Sequence, residues 1–361
     1  MVFTIIIIFI ALIGLLALHE FGHFIAAKKF GVVVEEFGIG YPPRIIATKK
    51  IKGTVYSLNW LPLGAFVKIV GEDNESNDSA SFSKKPIWQR AIILLAGVTS
   101  FWLIALVIYS IVLSGWGMLA SVDDQANNQD AAVYVTMVLP KSPADLAGIK
   151  AGDKILEIGQ AGAVAFLVTK VGQVQDFAKN QKGAEIVLNL QRNSETLEVK
   201  LTARQNYPSG EGPMGIGLLR AAKVRYPWYQ APVKSAVLIY QQTVMMIITV
   251  KDALASVFRG VKVEGMQLVG PIGVGAIMNQ AMTQGIDTFL VYLAMIAVWM
   301  ALFNVLPIPA LDGGRLLFLV IEAIMAKPIP AKVDQIINTS FFALFIALGI
   351  FVTIKDVIRL F

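Results

Sequence analysis

The sequence holds two histidines, and they stand four residues apart in His19-Glu20-Phe21-Gly22-His23. On a helix, residues i and i+4 share one face, so both imidazoles can grip a single zinc ion (Zn2+) while Glu20 lies beside the metal's open position. The chemistry this spacing suits is hydrolysis, with Glu20 taking a proton from water and returning it to a leaving amine. A catalytic zinc normally takes three protein groups, and with Cys at 0 the third must be a carboxylate. Asp312, in Asn304-Val305-Leu306-Pro307-Ile308-Pro309-Ala310-Leu311-Asp312-Gly313-Gly314-Arg315, is the candidate: it ends an apolar span, and the prolines and glycines around it let the backbone leave helical geometry. Charge at membrane depth is costly unless partnered, and a metal would partner Asp312 and both imidazoles. The alternative is that Asp312 caps a helix beginning near Gly313. Asn304, in the same motif, either offers its amide to a developing oxyanion or substrate backbone, or ties down the loop that carries Asp312.

The composition places these residues in a bilayer. Hydrophobic residues make up 56% and charged residues 16% of 361, too apolar for an ordinary soluble domain. The net charge of +6 comes with no basic cluster interleaved with aromatics, which argues against a nucleic-acid partner. From Val2 to Leu18 there is no charge, and the apolar run continues through His23 before Lys28 and Lys29. A signal peptide would carry its basic residues before the run, so this segment reads as a transmembrane helix over 1–30. Further spans are predicted over 87–119, 287–314 and 336–356, making about four. Ala236 to Val250 is apolar but broken by Gln241, Gln242 and Thr243, so 226–285 is expected to hold an amphipathic, membrane-associated helix instead of a fifth span. Within it, Gly270-Pro271-Ile272-Gly273-Val274-Gly275 reads as a turn-rich break that protein must shelter.

The loop over 31–86 carries Arg44, Lys49, Lys50, Lys52, Lys68, Lys84 and Lys85, and short basic loops stay in the cytoplasm. Both chain ends and the middle region then face outward. Within the loop, Thr54 to Leu58 and Gly64 to Ile69 are β-rich runs expected to pair as a hairpin against the helices. Gly71 to Ser83 reads as a polar, mobile loop. The segment 131–204 changes character, with strand-like runs such as Glu185 to Leu190 and Thr196 to Leu201. Its stretch Lys141 to Leu156 resembles the signature of PDZ domains, which bind an extended peptide or free C-terminus at a sheet edge.

Taken with the His19–His23 motif and the Asn304–Gly314 segment, these features resemble the site-2 proteases, zinc intramembrane metalloproteases, of the bacterial type that cleaves anti-sigma factors. The matching residues also include Gly38-Ile39-Gly40, Leu61 to Lys68, Ser142 to Asp153 and Gly270 to Gly273. The resemblance implies that His19, His23 and Asp312 bind zinc and that Glu20 is the catalytic base. It also implies that the element over Thr54 to Ile69 is a membrane-reentrant β-hairpin whose residues Gly64, Ala65, Phe66 and Val67 pair with an unwound substrate strand. The expected architecture is an α-helical polytopic membrane protein with that cytoplasmic-side hairpin and an inserted α+β PDZ domain. The expected partners are a lipid bilayer, a single-pass anti-sigma-factor-like substrate, and a peptide or free C-terminus at the PDZ domain. The expected site is the inner membrane, with the PDZ domain extracytoplasmic and the catalytic centre toward the cytoplasm. Single-copy PDZ content departs from relatives with two in tandem and leaves the filtering of substrate size open. Two other classes compete with this reading: a metal transporter lined by the same ligands, and an inactive PDZ-bearing scaffold.

Overall fold

The computed structural model describes residues 2–72, 78–128, 130–192, 195–208, 211–259 and 269–360. In chain order, α1 (Val2–Lys29), β1 (Val34–Ala47), β2 (Val55–Ile69) and α2 (Ile87–Gly115) come first. The middle of the chain holds β3 (Met118–Ser121), β4 (Ala132–Val138), α3 (Pro143–Leu146), β5 (Lys154–Gln160), β6 (Phe166–Leu167), α4 (Val171–Asn180), β7 (Glu185–Arg192), β8 (Glu195–Thr202) and β9 (Ile216–Val224). It closes with α5 (Ala231–Phe258), α6 (Pro271–Gln284), α7 (Ile286–Val305), α8 (Asp312–Met325) and α9 (Ala331–Leu360). Two units result, one from 1–112 with 228–361, the other from 113–227.

In the first unit, five described helices, α1, α2, α5, α7 and α9, are long and apolar enough to cross a membrane. The sequence reading counted four, setting α5 aside for its polar residues. Of those residues Gln242 has a partner on α2, and Thr243 donates to Ile239 O within its own helix. Gln242 and the fully buried Tyr109 exchange hydrogen bonds at 2.9–3.0 Å, and Ser110 donates to the buried Ser235. Once such groups are paired between helices, they no longer prevent a helix from lying in an apolar medium. Residues 260–268 of the stretch expected to be membrane-associated lie outside the described residues.

Pairing in the small sheet differs from the expected local hairpin. The two β-rich runs belong to one strand, β2, whose partner is β1, and both strands bend so that each lies twice in the sheet. The spatial order is Ala65–Ile69, Val34–Ile39, Val55–Asn59, then Arg44–Ala47, all antiparallel. A buried polar cluster explains the preference. Glu36, 8% exposed, accepts from Arg44 through both carboxylate oxygens and from Ser57 Oγ at 2.6 Å. The Arg44 guanidinium holds the Glu36 carboxyl below the usual carboxylate range. Asn59 ties the same corner by donating to Gly40 O and Ser57 Oγ. A hairpin between the halves of β2 would leave these groups unpaired. Of the polar stretch 71–83, residues 73–77 lie outside the described residues, and buried Phe82 opens a short 3-10 turn.

Three boundaries also move. The second span ends at Gly115, and Met118–Ser121 is a strand. The glycine-rich stretch is mostly helix: only Gly270 precedes α6, Pro271 takes its first turn where no N–H is needed, and Asp356 of α9 accepts from Gly270 N and Gly273 N at 2.9 and 2.8 Å. The third span ends at Val305, and Asp312 opens a separate helix, α8. Pro307 and Pro309 break the chain between them.

The second unit is a sheet in the order β3-β9-β4-β5-β7-β8, with β6 beside β5, and helices α3 and α4. Val133, Ile155, Ile158, Ile186, Leu188 and Leu190 fill its core, with Val174 and Ala178 of α4 packing onto them one turn apart. The stretch resembling a PDZ signature is locked by charge: Asp153, 1% exposed, accepts twice from Arg192 at 2.7 Å and once from Lys150 N. Arg192 also donates to Gly148 O.

The turn into α8 works by close approach of bare backbone. A Cβ on Gly313 would overlap the carbonyl oxygens of Val305 and Leu306, and one on Gly314 that of Ile308. Gly313→Ala is expected to lower the stability of the purified protein by about 1–3 kcal/mol, read as a fall in Tm in detergent, whereas an unchanged Tm would mean this turn is looser than it stands here.

Candidate metal centre

α1 carries its histidines on the face that packs against α2. Ile93, Gly97 and Phe101 of α2 are four residues apart and form the matching face. His19 stacks on Phe101 with ring centroids 4.5 Å apart, and Phe101 is fully buried. His23 Nδ1 donates to Ile93 O at 2.9 Å. A carbonyl can only accept, so that bond puts the proton on Nδ1 and leaves the Nε2 lone pair free. A Cβ on Gly97 would overlap the His23 ring, so this approach needs glycine. None of these α2 residues was singled out from the sequence. The available signal was the small-residue run Ala96-Gly97 with Ser100, inside an otherwise bulky apolar span.

The loop after α7 brings Asp312 to the histidine pair. Asp312 Oδ2 lies 3.4 Å from His19 Nε2 and 3.3 Å from His23 Nε2, and the two Nε2 atoms are 3.3 Å apart. His19 and His23 are 7% and 6% exposed, and the Asp312 side chain 14%. Asp312 does not cap its helix. Leu311 is the N-cap residue, and buried Asp312 Oδ2 makes no hydrogen bond.

Three acceptor atoms aimed into one small volume repel each other unless a cation lies among them. Their spacing fits a tetrahedral zinc: ligands about 2.0–2.1 Å from such an ion stand about 3.3–3.4 Å from one another, the length of each side of this triangle. Among the described residues, His19, His23 and Asp312 are the group of three side chains able to hold a metal ion.

Glu20 sits next to the triangle in sequence, and its Oε2 accepts from Val67 N–H at 3.1 Å. Of the residues expected to meet substrate, Val67 is thus brought to Glu20, and Gly64, Ala65 and Phe66 precede it on β2. Asn304 is not brought to the centre by any hydrogen bond described; its Nδ2 donates to Met300 O in its own helix at 2.8 Å. The loop is held instead by Asn338 of α9, whose Oδ1 accepts from Ala310 N at 2.8 Å while its Nδ2 donates to Asp334. Ala310 has φ +71°, a conformation costly for alanine, so this support lies two residues from Asp312. No spacing pattern in the sequence marked Asn338. Arg315, one turn beyond Asp312, pairs with Glu72 past the end of β2, and Arg90 of α2 pairs with Glu322 of α8 at 2.6 Å.

Comparison with known proteins agrees with this chemistry. The model for peptidase family M50 matches residues 7–348. A Clostridium perfringens protein named as a zinc metalloprotease is 34% identical over 352 residues, covering 97% of each chain. A Nostoc protein of the same name type is 30% identical over 356 residues, covering 96% of this chain and 93% of its own. The chloroplast membrane metalloprotease ARASP of Arabidopsis thaliana is 28% identical over 354 residues, covering 96% of this chain and 77% of its own. The PDZ domain of an SdrC-like protein from Listeria monocytogenes matches at 24% identity over 26% of this chain and 92% of its own, and its TM-score of 0.21 carries no argument. On the family match and the full-length relatives together, the chain belongs to peptidase family M50, the site-2 proteases, and is a zinc-dependent intramembrane protease.

Proposed function

We propose that His19, His23 and Asp312 hold the zinc of this protease and that Glu20 is its general base. The observation that carries the assignment is the triangle of two imidazole nitrogens and one carboxylate oxygen, 3.3–3.4 Å on each side. When bound there, zinc polarises a peptide carbonyl and makes water acidic enough to lose a proton near neutral pH. Glu20 accepts that proton and hands it to the departing amine. Ile93 fixes the His23 tautomer, Phe101 fixes the His19 ring plane, and Asn338 holds the loop before Asp312. We give Asn338 the loop-holding role considered for Asn304, because Asn304 bonds to its own helix. The proposed entry for water is the cavity of about 260 Å³ whose lining includes Glu72, Lys84, Arg90, Arg315 and Glu322, with Arg315 one turn of α8 from Asp312.

The substrate is the transmembrane segment of a single-pass protein of the anti-sigma-factor kind. A helix hides its peptide bonds, so the segment must unwind, and an unwound segment needs hydrogen-bond partners in lipid. The outer edge of Gly64–Val67 supplies them. Val67 N–H points away from β1, to Glu20 Oε2 on α1, so by alternation along β2 Ala65 also points outward while Phe66 and Lys68 face β1. The second unit is assigned as a PDZ domain. β3 covers only Ala221–Val224 of β9, and among the described residues no strand pairs with the same edge of Ile216–Leu219. Arg220 Nε donates to Thr169 O just before α4, so α4 flanks that edge and leaves a groove for an extended peptide or free C-terminus. Such a domain would turn away substrates with bulky outer parts until an earlier protease trims them. The basic loop over 28–90 supports a cytoplasmic-membrane location with the catalytic centre toward the cytoplasm and the second unit outside.

In proteoliposomes with a labelled transmembrane peptide, the wild type is expected to release a fragment that a zinc chelator abolishes. Glu20→Gln is expected to lose cleavage by at least about 100-fold while retaining zinc, and cleavage by that variant at wild-type rate would remove Glu20 from the mechanism. The absence of native cysteine also gives a clean test of sidedness: single cysteines at Lys50 and at Val164, which is 96% exposed, should react with an impermeant maleimide from opposite faces of the membrane. Labelling from the same face would overturn the orientation.

A further inference from the structure

The outward N–H of Val67 is already in use. It donates to Glu20 Oε2 at 3.1 Å, at the edge where an unwound substrate would add as a strand. Antiparallel or parallel, a strand added to that edge needs outward N–H groups as donors, and a donor with one hydrogen cannot fully serve a substrate carbonyl and Glu20 together. On α1 the polar neighbours of Glu20 are His19 and His23, whose Nε2 atoms face Asp312, so Val67 N–H is the hydrogen-bond donor described for its carboxylate. We propose that the Glu20–Val67 hydrogen bond is a latch: an adding substrate strand takes Val67 N–H, and the same event frees the Glu20 carboxylate to turn to water. Binding in the correct register and arming of the base are then one step. A peptide that docks without reaching Val67 leaves Glu20 tied to the sheet and is spared. This rests on the reading of Gly64–Val67 as the substrate edge and of Glu20 as the base, and it adds that the two compete for one proton donor.

The latch fixes a specific pattern of binding energies. Glu20→Gln keeps an amide oxygen able to accept from Val67 N–H, whereas Glu20→Ala removes the acceptor. Val67→Pro deletes the N–H itself, at an edge position where no sheet bond depends on it. Neither Glu20 variant is expected to cleave, so both can be titrated with the same intact probe: a fluorescent leucine-alanine transmembrane peptide with a central Asn-Gly pair, added to full-length zinc-loaded protein in nanodiscs. Glu20→Ala should bind it about two- to tenfold more tightly than Glu20→Gln, the worth of one neutral hydrogen bond. On the Val67→Pro background that difference should vanish. Amide exchange supplies a readout independent of both peptide and activity, and of whether the proline variant folds: without peptide, the Gly64–Lys68 segment should exchange faster in Glu20→Ala than in Glu20→Gln. Equal affinities in the two Glu20 variants, a difference that survives Val67→Pro, or equal exchange would each overturn the latch. A cleaving Glu20→Gln protein would instead sink the assignment of the base, which is a separate failure.

Discussion

Three buried acceptor atoms, set 3.3–3.4 Å apart on α1 and at the head of α8, are the constraint around which the first unit is built. Two imidazoles and a carboxylate cannot share that volume in an apolar surrounding without a cation, and zinc is the cofactor of this family. Each neighbouring feature follows from holding the triangle together. α2 must offer a glycine at 97 so that the His23 ring can lie on its backbone, and the chain must break after Val305 so that α8 starts with Asp312 facing back. Gly313 and Gly314 then permit the backbone to double on itself where any side chain would collide. The ion pairs Arg315–Glu72 and Arg90–Glu322 brace α8 further along its length.

On the proposed reading the small sheet solves a separate problem. A protease in lipid must present its base to a backbone that has been stripped of its own hydrogen bonds, and a strand edge is the structure that offers replacements. Glu36, Ser57 and Asn59 bury their polarity inside the turn of that sheet, and the exposed Arg44 closes over Glu36. Its last segment can therefore stand beside α1 with Glu20 on its margin. The centre and the sheet meet at Val67.

The sequence marked the three proposed ligands plainly because their chemistry admits few substitutes: the two histidines had i, i+4 spacing, and Asp312 was a charge beside an apolar span flanked by proline and glycine, and the fold brings the three together. It carried the inserted domain through its alternating strands and the Gly148…Gly152-Asp153 run, whose carboxylate proves to be the anchor for Arg192. Residues that act by shape left little trace. Gly97 and Phe101 matter because of what lies across from them on α1, and a glycine or phenylalanine in an apolar helix carries no mark of its partner. Asn338 serves a backbone N–H 28 residues away, which no local period encodes. The strand pairing was misread for a related reason: neighbouring β-rich runs favour a local hairpin, and only the three-dimensional gathering of Glu36, Arg44 and Ser57 tips the balance toward β1. The pairing of Gln242 in α5 with Tyr109 on another helix is likewise invisible from the sequence of α5 alone.

The most direct measurement is zinc K-edge X-ray absorption on the purified protein, combined with metal analysis. One zinc per chain, with two imidazoles and an oxygen ligand at about 2.0–2.2 Å, is the expected result. A protein without zinc, or zinc whose scattering contains fewer than two imidazoles, would contradict the centre formed by His19, His23 and Asp312.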